Sequence, residues 1–157
     1  MTTADFTRLD EATATTTDRY ELDRVDKGGG YKLYEVNVPM WDRAWKASEP
    51  SQYVGRGGAG GIGGRYERFR QWLAGEPLQV TKTRTLLGRA PGGRIIAPTC
   101  GVLEGSRGPN VYFDNGRHRY AVMRDAGERV VVALRAPDAA RAREHRLIGR
   151  TVPEDAA

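Results

Sequence analysis

The stretch that decides the fold is Asn110 to Leu134, NVYFDNGRHRYAVMRDAGERVVVAL. Asn110 to Phe113 is apolar and aromatic, which predicts a strand. A helix is predicted from Arg117 to Ala126, and it closes at Gly127, a residue type that suits the left-handed backbone at helix ends. Val130 to Leu134 is continuously apolar, as expected for an interior strand. The stretch therefore predicts a strand, a sharp turn, a helix and a second strand.

The turn in this stretch has the residues of an anion site. Gly116 lets the backbone turn sharply and come close to a ligand, and we expect Asp114 or Asn115 to cap the helix. The first helical turn also presents free amides and the positive end of the helix dipole, which suit a phosphate. Three donor side chains fall in that turn: Arg117, His118 and Arg119. An ordinary strand–turn–helix with surface arginines has the same spacing, and this alternative stays open.

Strands and helices are also predicted outside this stretch. The predicted strands are Tyr20 to Val25, Tyr31 to Val38 and Arg94 to Leu103 with a break at Pro98, and residues 78–87 are expected to be extended. Helices are predicted around Trp41 and Trp45, from Arg65 to Ala74, and from Asp138 to Leu147. The first two strands could form a hairpin. The pattern indicates an α/β (α+β) fold with a small mixed sheet and flanking helices.

One domain is expected between two termini of different character. Residues 1–17 are rich in Thr, Ala and Asp and predict a flexible acidic leader. Residues 18–150 form the expected single domain, a size that buries a real core. Residues 151–157 are expected to be a tail.

Gly55 to Gly64 is a glycine-dense loop that leads directly into a helix. Such a loop can wrap phosphates with its backbone amides. Arg56 and Arg65 would then be further anion donors, and the loop would serve as a lid that excludes water. The loop lacks the Gly-Lys-Ser/Thr of a P-loop, and a simply flexible loop is the alternative interpretation.

Charge is divided unevenly along the chain. Residues 1–26 carry three Arg and seven acidic residues, a net charge of −4, and the remainder carries 22 basic and 13 acidic residues, a net charge of +9. Most basic residues are Arg, which makes bidentate contacts with phosphate. A basic body indicates an anionic partner, either a nucleotide or a nucleic acid; the alternative interpretation is a compositional preference for Arg over Lys, with the charges on solvated faces.

The composition also bears on compartment and metals. Cys100 is the only cysteine, so an internal disulfide framework is impossible. We expect no membrane partner, because no apolar run approaches the ~20 residues that span a bilayer, and the N-terminus does not have the pattern of a signal peptide. A cytoplasmic location is therefore predicted. His118, His145 and Cys100 have no metal-ligand spacing, and no dedicated metal site is predicted.

Gly116-Arg117-His118-Arg119, followed by a helix that ends at Gly127 and an apolar strand, resembles the core motif of the ParB/sulfiredoxin superfamily. In sulfiredoxins the matching turn reads Gly-Cys-His-Arg and binds ATP phosphate, and in ParB proteins it reads Gly-Glu-Arg-Arg and binds CTP phosphates. ParB-like free-serine kinases have a related Asp-Gly-His turn. The resemblance implies a ParB/sulfiredoxin-like fold and a nucleotide-phosphate site at Asn115, Gly116, Arg117, His118 and Arg119.

The chain also departs from these relatives. Arg117 occupies the position of the sulfiredoxin cysteine and of the ParB glutamate, so neither sulfinate reduction nor ParB-type nucleotide hydrolysis is assured. Only 23 residues follow Leu134, too few for the DNA-binding and dimerisation domains of ParB, and we therefore do not expect a sequence-specific partition factor.

Three functions follow as hypotheses. The first is an ATP- or CTP-dependent phosphotransferase or NTP hydrolase, with Asp114 or Glu35 as candidate base, His118 as a further catalytic candidate and Mg²⁺ accompanying the nucleotide. The second is a DNA-binding, ParB-like nuclease or partition-related protein, favoured by the basic C-terminal arginines. The third is a non-catalytic nucleotide sensor. The acceptor of the first is not specified by the sequence.

Overall fold

The computed structural model describes residues 20–49, 52–75 and 94–149. The strands are β1 (Tyr20–Glu21), β2 (Lys32–Glu35), β3 (Ile95–Ile96), β4 (Thr99–Gly105), β5 (Gly108–Asn115) and β6 (Val131–Leu134). The helices are α1 (Val38–Lys46), α2 (Arg65–Leu73), α3 (Arg117–Asp125) and α4 (Ala136–Glu144), with 3-10 turns at Arg24–Asp26 and Arg56–Gly58. The predicted leader, the tail and the extended segment 78–87 lie outside the described residues. Within those residues no helix is long and apolar enough to cross a membrane.

The main sheet is mixed and has four strands in the order β2-β6-β4-β5. β2 pairs antiparallel with β6, β6 pairs parallel with β4 through Ala133 and Thr99, and β4 pairs antiparallel with β5. A separate small sheet pairs β1 in parallel with β3. The predicted α+β fold with a small mixed sheet is confirmed. The suggested hairpin of the first two strands is wrong, because β1 and β2 pair with β3 and β6 instead.

The stretch that decides the fold forms the predicted elements. β5 is longer than predicted because it pairs with β4 from Gly105 opposite Gly108 up to Thr99 opposite Asn115. α3 ends before Gly127, which has the left-handed φ of +73° expected of a closing glycine. β6 is buried along its whole length, in agreement with its continuous apolar sequence.

An aromatic cluster fixes α3 against the sheet. Trp41 and Trp45 lie on the buried face of α1, as their spacing predicts. The Trp45 ring centroid lies 4.7 Å from that of Phe113 on β5 and 5.3 Å from that of Tyr120 on α3. Phe113 and Tyr120 are themselves 5.2 Å apart. Because each such ring buries about 150–250 Å², this cluster holds the end of β5 and the start of α3 in one place.

Side chains of helix α4 form hydrogen bonds with the backbone of β4 in the part of that strand that is not paired with β6. Asp138 Oδ1 accepts a hydrogen bond from the Val102 N–H at 2.9 Å, and Arg141 Nε donates to the Val102 carbonyl at 2.6 Å. These two side chains stand where a neighbouring strand would otherwise pair. Unpaired edge groups of a sheet are a template for association, and here the side chains of α4 occupy them.

Candidate anion-binding site

The turn between β5 and α3 requires glycine for two reasons. Gly116 has a φ of +88°, in the left-handed region that side chains rarely adopt. A Cβ atom at this position would also lie 2.6 Å from Arg119 Nη2 and 2.9 Å from Pro98 Cα. The turn is therefore closed tightly against Arg119 and the segment before β4, as its glycine predicts.

The start of α3 has no side-chain cap. Gly116 occupies the N-cap position, so the predicted capping by Asp114 or Asn115 is wrong. Asp114 is exposed, and Asn115 Nδ2 donates instead to Asp23 Oδ2 at 3.4 Å. By contrast, α1 is capped by an asparagine that accepts from the amide three residues later. The first amides of α3 are therefore left to a ligand or to solvent.

Arg119 lies beneath this turn and is almost fully buried, with 9% of its surface exposed. Its Nε donates to the Ile96 carbonyl at 2.9 Å, but its buried Nη2 has no hydrogen-bond partner among the described residues and faces Gly116. Burial lowers the pKa of Arg119 to about 10, while Asp23 opposes that shift. The guanidinium therefore stays cationic at neutral pH, with one donor unused.

Arg117 is held beside the turn by the segment that precedes the glycine loop. Its Nη1 donates to the Gln52 carbonyl at 2.8 Å. The Gln52 side chain in turn bonds the backbone of Phe113 on β5, accepting from its N–H at 2.9 Å and donating to its carbonyl at 3.2 Å. The Arg117 guanidinium is thus positioned through β5, and it is only partly buried.

His118 is buried and neutral. Its Nε2 accepts a hydrogen bond from the Ile62 N–H at 3.1 Å, so the ring proton lies on Nδ1. Burial lowers the pKa of His118 to about 4, and four nearby arginines lower it further: Arg117, Arg65, Arg119 and Arg68. In this arrangement His118 acts as an acceptor toward the glycine loop. A part for it in catalysis or in phosphate binding stays a prediction.

The glycine loop lies along α3 and is bound to it at two points. The Gly57 N–H donates to Asp125 Oδ2 at 3.0 Å, at the end of the helix, and the Ile62 N–H bonds His118 at its start. A Cβ on Gly61 would approach the His118 ring to 3.0 Å, so the close contact depends on glycine. Of the two loop arginines in the predicted site, Arg65 lies in the electrostatic environment of His118. Arg56 is exposed and adjoins Gly57, whose amide contacts Asp125 at the end of α3.

None of the four arginines around His118 forms a salt bridge with a carboxylate among the described residues. Three of them donate instead to backbone carbonyls, namely Arg68 to Gly63, Arg117 to Gln52 and Arg119 to Ile96. Their charges therefore add at one place. A cluster of unpaired guanidinium groups beside free helix amides is suited to bind an anion with several acceptor oxygens.

The two predicted carboxylate bases occupy different places. Glu35 lies on β2 opposite Val131, and β2 and β5 are the two outer strands of the four-stranded sheet, about 14 Å apart at the usual strand spacing. It is buried, burial raises its pKa, and Arg129 opposes this from 3.5 Å. Glu35 is therefore not brought to the turn. Asp114 is two residues before Gly116 and exposed, which leaves it as the carboxylate candidate beside the turn.

Two other features lie away from the turn. A groove of about 310 Å³ between α2 and α3 is lined by Tyr66, Leu73, Val122 and Ala126. On α3 its lining lies in the C-terminal half of the helix and beyond, away from Gly116, so it is not the predicted phosphate site. Glu104, Glu144 and His145 bring ligand atoms within 4.8 Å of one another at the surface. Exposed acidic groups commonly gather without an ion, and this cluster carries no functional argument.

Comparison of the chain with models of protein families, with curated proteins and with solved structures found no significant match. The likeness to the ParB/sulfiredoxin superfamily therefore rests on the turn, the helix and the apolar strand between Gly116 and Leu134, and it stays a prediction. Sequence reasoning missed three residues of the site. Gln52 offers its carbonyl to Arg117, Ile62 donates its amide to His118, and the Arg68 side chain folds back to the Gly63 carbonyl before its own helix. The glycine density before α2 was the only signal near them.

Proposed function

We propose that this protein binds the phosphate groups of a nucleoside triphosphate, ATP or CTP, at the turn between β5 and α3. The observation that carries the proposal is the cluster of four arginines around His118, without a carboxylate partner among the described residues, at an uncapped helix start. Beneath the turn, the Arg119 Nη2 has no hydrogen-bond partner among the described residues, and the guanidinium adds its positive charge beside Gly116.

The reaction that suits this arrangement is phosphoryl transfer or hydrolysis, in which catalysis consists largely of positioning and charge stabilisation. The arginines and the free amides of α3 would hold the phosphate groups. Asp114 is the candidate to accept the proton of an attacking hydroxyl or water, since Glu35 lies on the outer strand of the sheet opposite to β5. Mg²⁺ would accompany the triphosphate and take most of its ligands from phosphate oxygens and water.

A non-catalytic nucleotide sensor is the second candidate. It is favoured by the separation of Glu35 from the turn and by the bond that engages His118 Nε2 with the Ile62 amide. Both observations reduce the number of proton acceptors near the site. A sensor would bind nucleotide with the same arginines but would release no phosphate.

Thermal unfolding with and without ligands tests the proposal. ATP, CTP, GTP and a short DNA duplex would each be added with Mg²⁺ to the wild type and to Arg119→Met, which keeps the buried aliphatic volume. A nucleotide at 100 times its dissociation constant stabilises the native state by about 2.7 kcal/mol. We expect one nucleotide to raise the melting temperature of the wild type and not that of Arg119→Met. The matched control is Arg43→Met, an exposed arginine on α1.

The outcomes separate the three functions. A nucleotide shift that depends on Arg119, together with formation of the nucleoside diphosphate that is lost in Asp114→Asn, supports the enzyme: hydrolysis also releases inorganic phosphate, and transfer phosphorylates an added acceptor instead. The same shift without formation of the diphosphate, with or without added acceptors, supports the sensor. Stabilisation by DNA alone, abolished by salt and equally reduced in Arg43→Met and Arg119→Met, would overturn the proposal in favour of non-specific nucleic-acid binding.

A further inference from the structure

We infer that the face of β4 and β5 that carries Gly101 and Tyr112, the outer face, is the acceptor subsite of the proposed phosphotransferase, and that the acceptor is a neutral sugar. The inference rests on the proposed function and names the acceptor class that this function leaves open. Three observations carry it: a β-bulge with an exposed carboxylate, an aromatic ring on the same face, and the charges around that ring.

The end of β5 contains a β-bulge at Asp114. Thr99 and Cys100 are consecutive on β4, but their partners on β5 are Asn115 and Phe113, so Asp114 is the extra residue without a partner. Bulges occur often beside active sites, where they re-aim a side chain. The Asp114 side chain is exposed. The bulge thus presents a free carboxylate two residues before the anion turn.

Tyr112 lies on the same face of the sheet as Asp114, two residues and about 7 Å earlier on β5, because side chains alternate along a strand. Its ring lies over Gly101 on β4, where an added Cβ would overlap the Cζ and hydroxyl atoms of the ring. The side chain of Phe113 points to the opposite face, into the aromatic cluster. Tyr112 is only partly buried. The outer face therefore offers an aromatic surface beside a carboxylate.

The charges near this ring do not add up to a positive site, in contrast to the start of α3. Arg141 Nη2 lies 3.8 Å from Asp138 Oδ1, and both side chains also bond the backbone of β4. Arg135 stacks on the Tyr31 ring, with its guanidinium carbon 4.8 Å from the ring centroid. Asp114 brings a further negative charge. The outer face therefore favours a neutral ligand over a phosphate or another anion.

A sugar has the chemistry that these groups require. The C–H face of a sugar ring packs on an aromatic ring such as that of Tyr112, whose body is apolar and whose tip is polar. The sugar hydroxyl groups would bond the Asp114 carboxylate and the Tyr112 hydroxyl, neither of which has a hydrogen-bond partner among the described residues. A purely apolar alcohol would leave these polar groups without partners at a cost.

The transfer step follows from the order of these groups along β5. Asp114 lies between Tyr112 and Gly116 in the chain, so it stands between the acceptor and the phosphates. A sugar hydroxyl oxygen attacks the terminal phosphorus of the nucleotide and forms the new O–P bond. The bond from that phosphorus to the bridging oxygen breaks, and the bridging oxygen keeps the electron pair in the departing nucleoside diphosphate. The hydroxyl proton passes to Asp114.

Acceptor-dependent formation of the nucleoside diphosphate tests the inference. Glucose, ribose, glycerol and serine would each be added to the protein with the nucleotide that stabilises it and Mg²⁺. We expect one of the two sugars to raise the rate at least about 10-fold over water, because the outer face holds it in position for attack. Glycerol and serine, which have no sugar ring, should change the rate little.

Variants of the ring locate the subsite. Tyr112→Leu should raise the KM for the sugar about 3- to 10-fold, since it removes the stacking contact, and leave the KM for the nucleotide unchanged. Tyr112→Phe keeps the ring and should retain most of the sugar affinity. The control is Leu103→Ala, an exposed residue on the same face, one pair of residues further from the turn. It should change neither constant. Circular dichroism confirms that each variant is folded.

The failure of the inference is distinguishable from the failure of the proposed function. If the nucleotide binds in an Arg119-dependent manner but neither sugar accelerates diphosphate formation, the acceptor subsite is overturned and the phosphate site stands. Equal acceleration by glycerol and the sugars, or equal effects of Tyr112→Leu and Leu103→Ala, would also overturn the subsite. If no nucleotide binds the wild type, the proposed function is overturned and the transfer step with it.

Discussion

The two ends of α3 carry the same type of residue in opposite electrostatic settings. At the end of the helix, Arg124 contacts Asp42 and Asp125, each at 2.9 Å, and donates to the Val54 carbonyl. Burial lowers the pKa of Arg124, but the hydrogen bonds to the two carboxylates outweigh it and raise that pKa. At the start of the helix, Arg119 is buried without a carboxylate partner among the described residues, and burial lowers its pKa. The charge of Arg124 is thus neutralised at the end of the helix, and the charge of Arg119 is not neutralised at its start.

The difference separates structural charge from charge that is available to a ligand. In each arginine the Nη2 atom has no hydrogen-bond partner within the described part of the chain, so this feature alone does not distinguish them. The carboxylates distinguish them. Arg124 has two carboxylate partners that compensate its buried charge, whereas the charge of Arg119 is not compensated in this way among the described residues. A buried charge without a partner is costly, and breaking a buried pair by removing one partner is costly too. The end of α3 thus holds the glycine loop and α2 in place, while its start keeps positive charge free.

The largest loss of stability is expected from replacing Asp125, one of the two carboxylates that neutralise Arg124 at the end of α3. Asp125 accepts from Arg124 Nε, from the Tyr66 hydroxyl at 2.6 Å and from the Gly57 amide at 3.0 Å. Asp125→Ala removes all three bonds and leaves Arg124 with one carboxylate partner among the described residues, Asp42, and with the Val54 carbonyl. We expect the free energy of unfolding to fall by about 3 kcal/mol, measured by urea denaturation. Glu67→Ala, which breaks the exposed pair with Arg70, is the control and should change the midpoint little. An equal effect of both variants would contradict the structural role of Asp125.

The second effect tests whether the start of α3 is closed as tightly as described. Gly116→Ala should destabilise the fold by about 2–3 kcal/mol, since it combines left-handed backbone strain with a clash against Pro98. The control is Gly127→Ala at the other end of the helix, where φ is also positive but a Cβ meets nothing within 4 Å. It should cost about 1 kcal/mol. Equal unfolding midpoints for the two variants would show that the turn has room for a side chain.

The smallest effect concerns the protonation of His118. Its pKa of about 4 in the folded state lies below the ordinary 6.5 of the unfolded chain. Between these values the unfolded chain binds a proton that the folded one does not, so stability is present above pH 6.5 and decreases as the pH falls toward 4. Solvent screening at this loop limits the loss to on the order of 1 kcal/mol.

Melting curves of the wild type and of His118→Gln across this pH range measure the effect. The glutamine can still accept from the Ile62 amide but does not titrate, so the part of the acid-induced loss due to His118 should be absent. Bound phosphate should reduce the same loss in the wild type, because its negative charge offsets the arginines that disfavour imidazolium. Identical pH profiles for the two proteins would contradict a neutral, buried His118.

The sequence predicted the local parts of this site because they depend on neighbouring residues. Gly116 at a strand end, the helix that follows and its closure at Gly127 are all local signals, and the structure confirms them. The positions of Trp41 and Trp45 on one helix face are likewise set by spacing. The cap was predicted wrongly, because the left-handed conformation of Gly116 directs the chain so that neither preceding side chain closes the helix.

The parts that depend on tertiary packing could not be predicted. β1 pairs with β3 across about 75 residues, and no local pattern specifies that partner. The neutrality of His118 requires a loop amide from position 62 and arginines from two helices. The neutralisation of Arg124 requires Asp42 from α1. Whether an arginine is paired or available is therefore a property of the assembled fold, and the sequence alone gives only their number.

The bonds from α4 to β4 have a consequence for how copies of this chain behave in concentrated solution. Asp138 and Arg141 occupy the backbone groups of Val102, which would otherwise face outward along an open strand. A strand of a second molecule therefore cannot pair with the backbone of Val102. These two side chains therefore block the addition of a further strand at Val102, and they do so with polar groups alone.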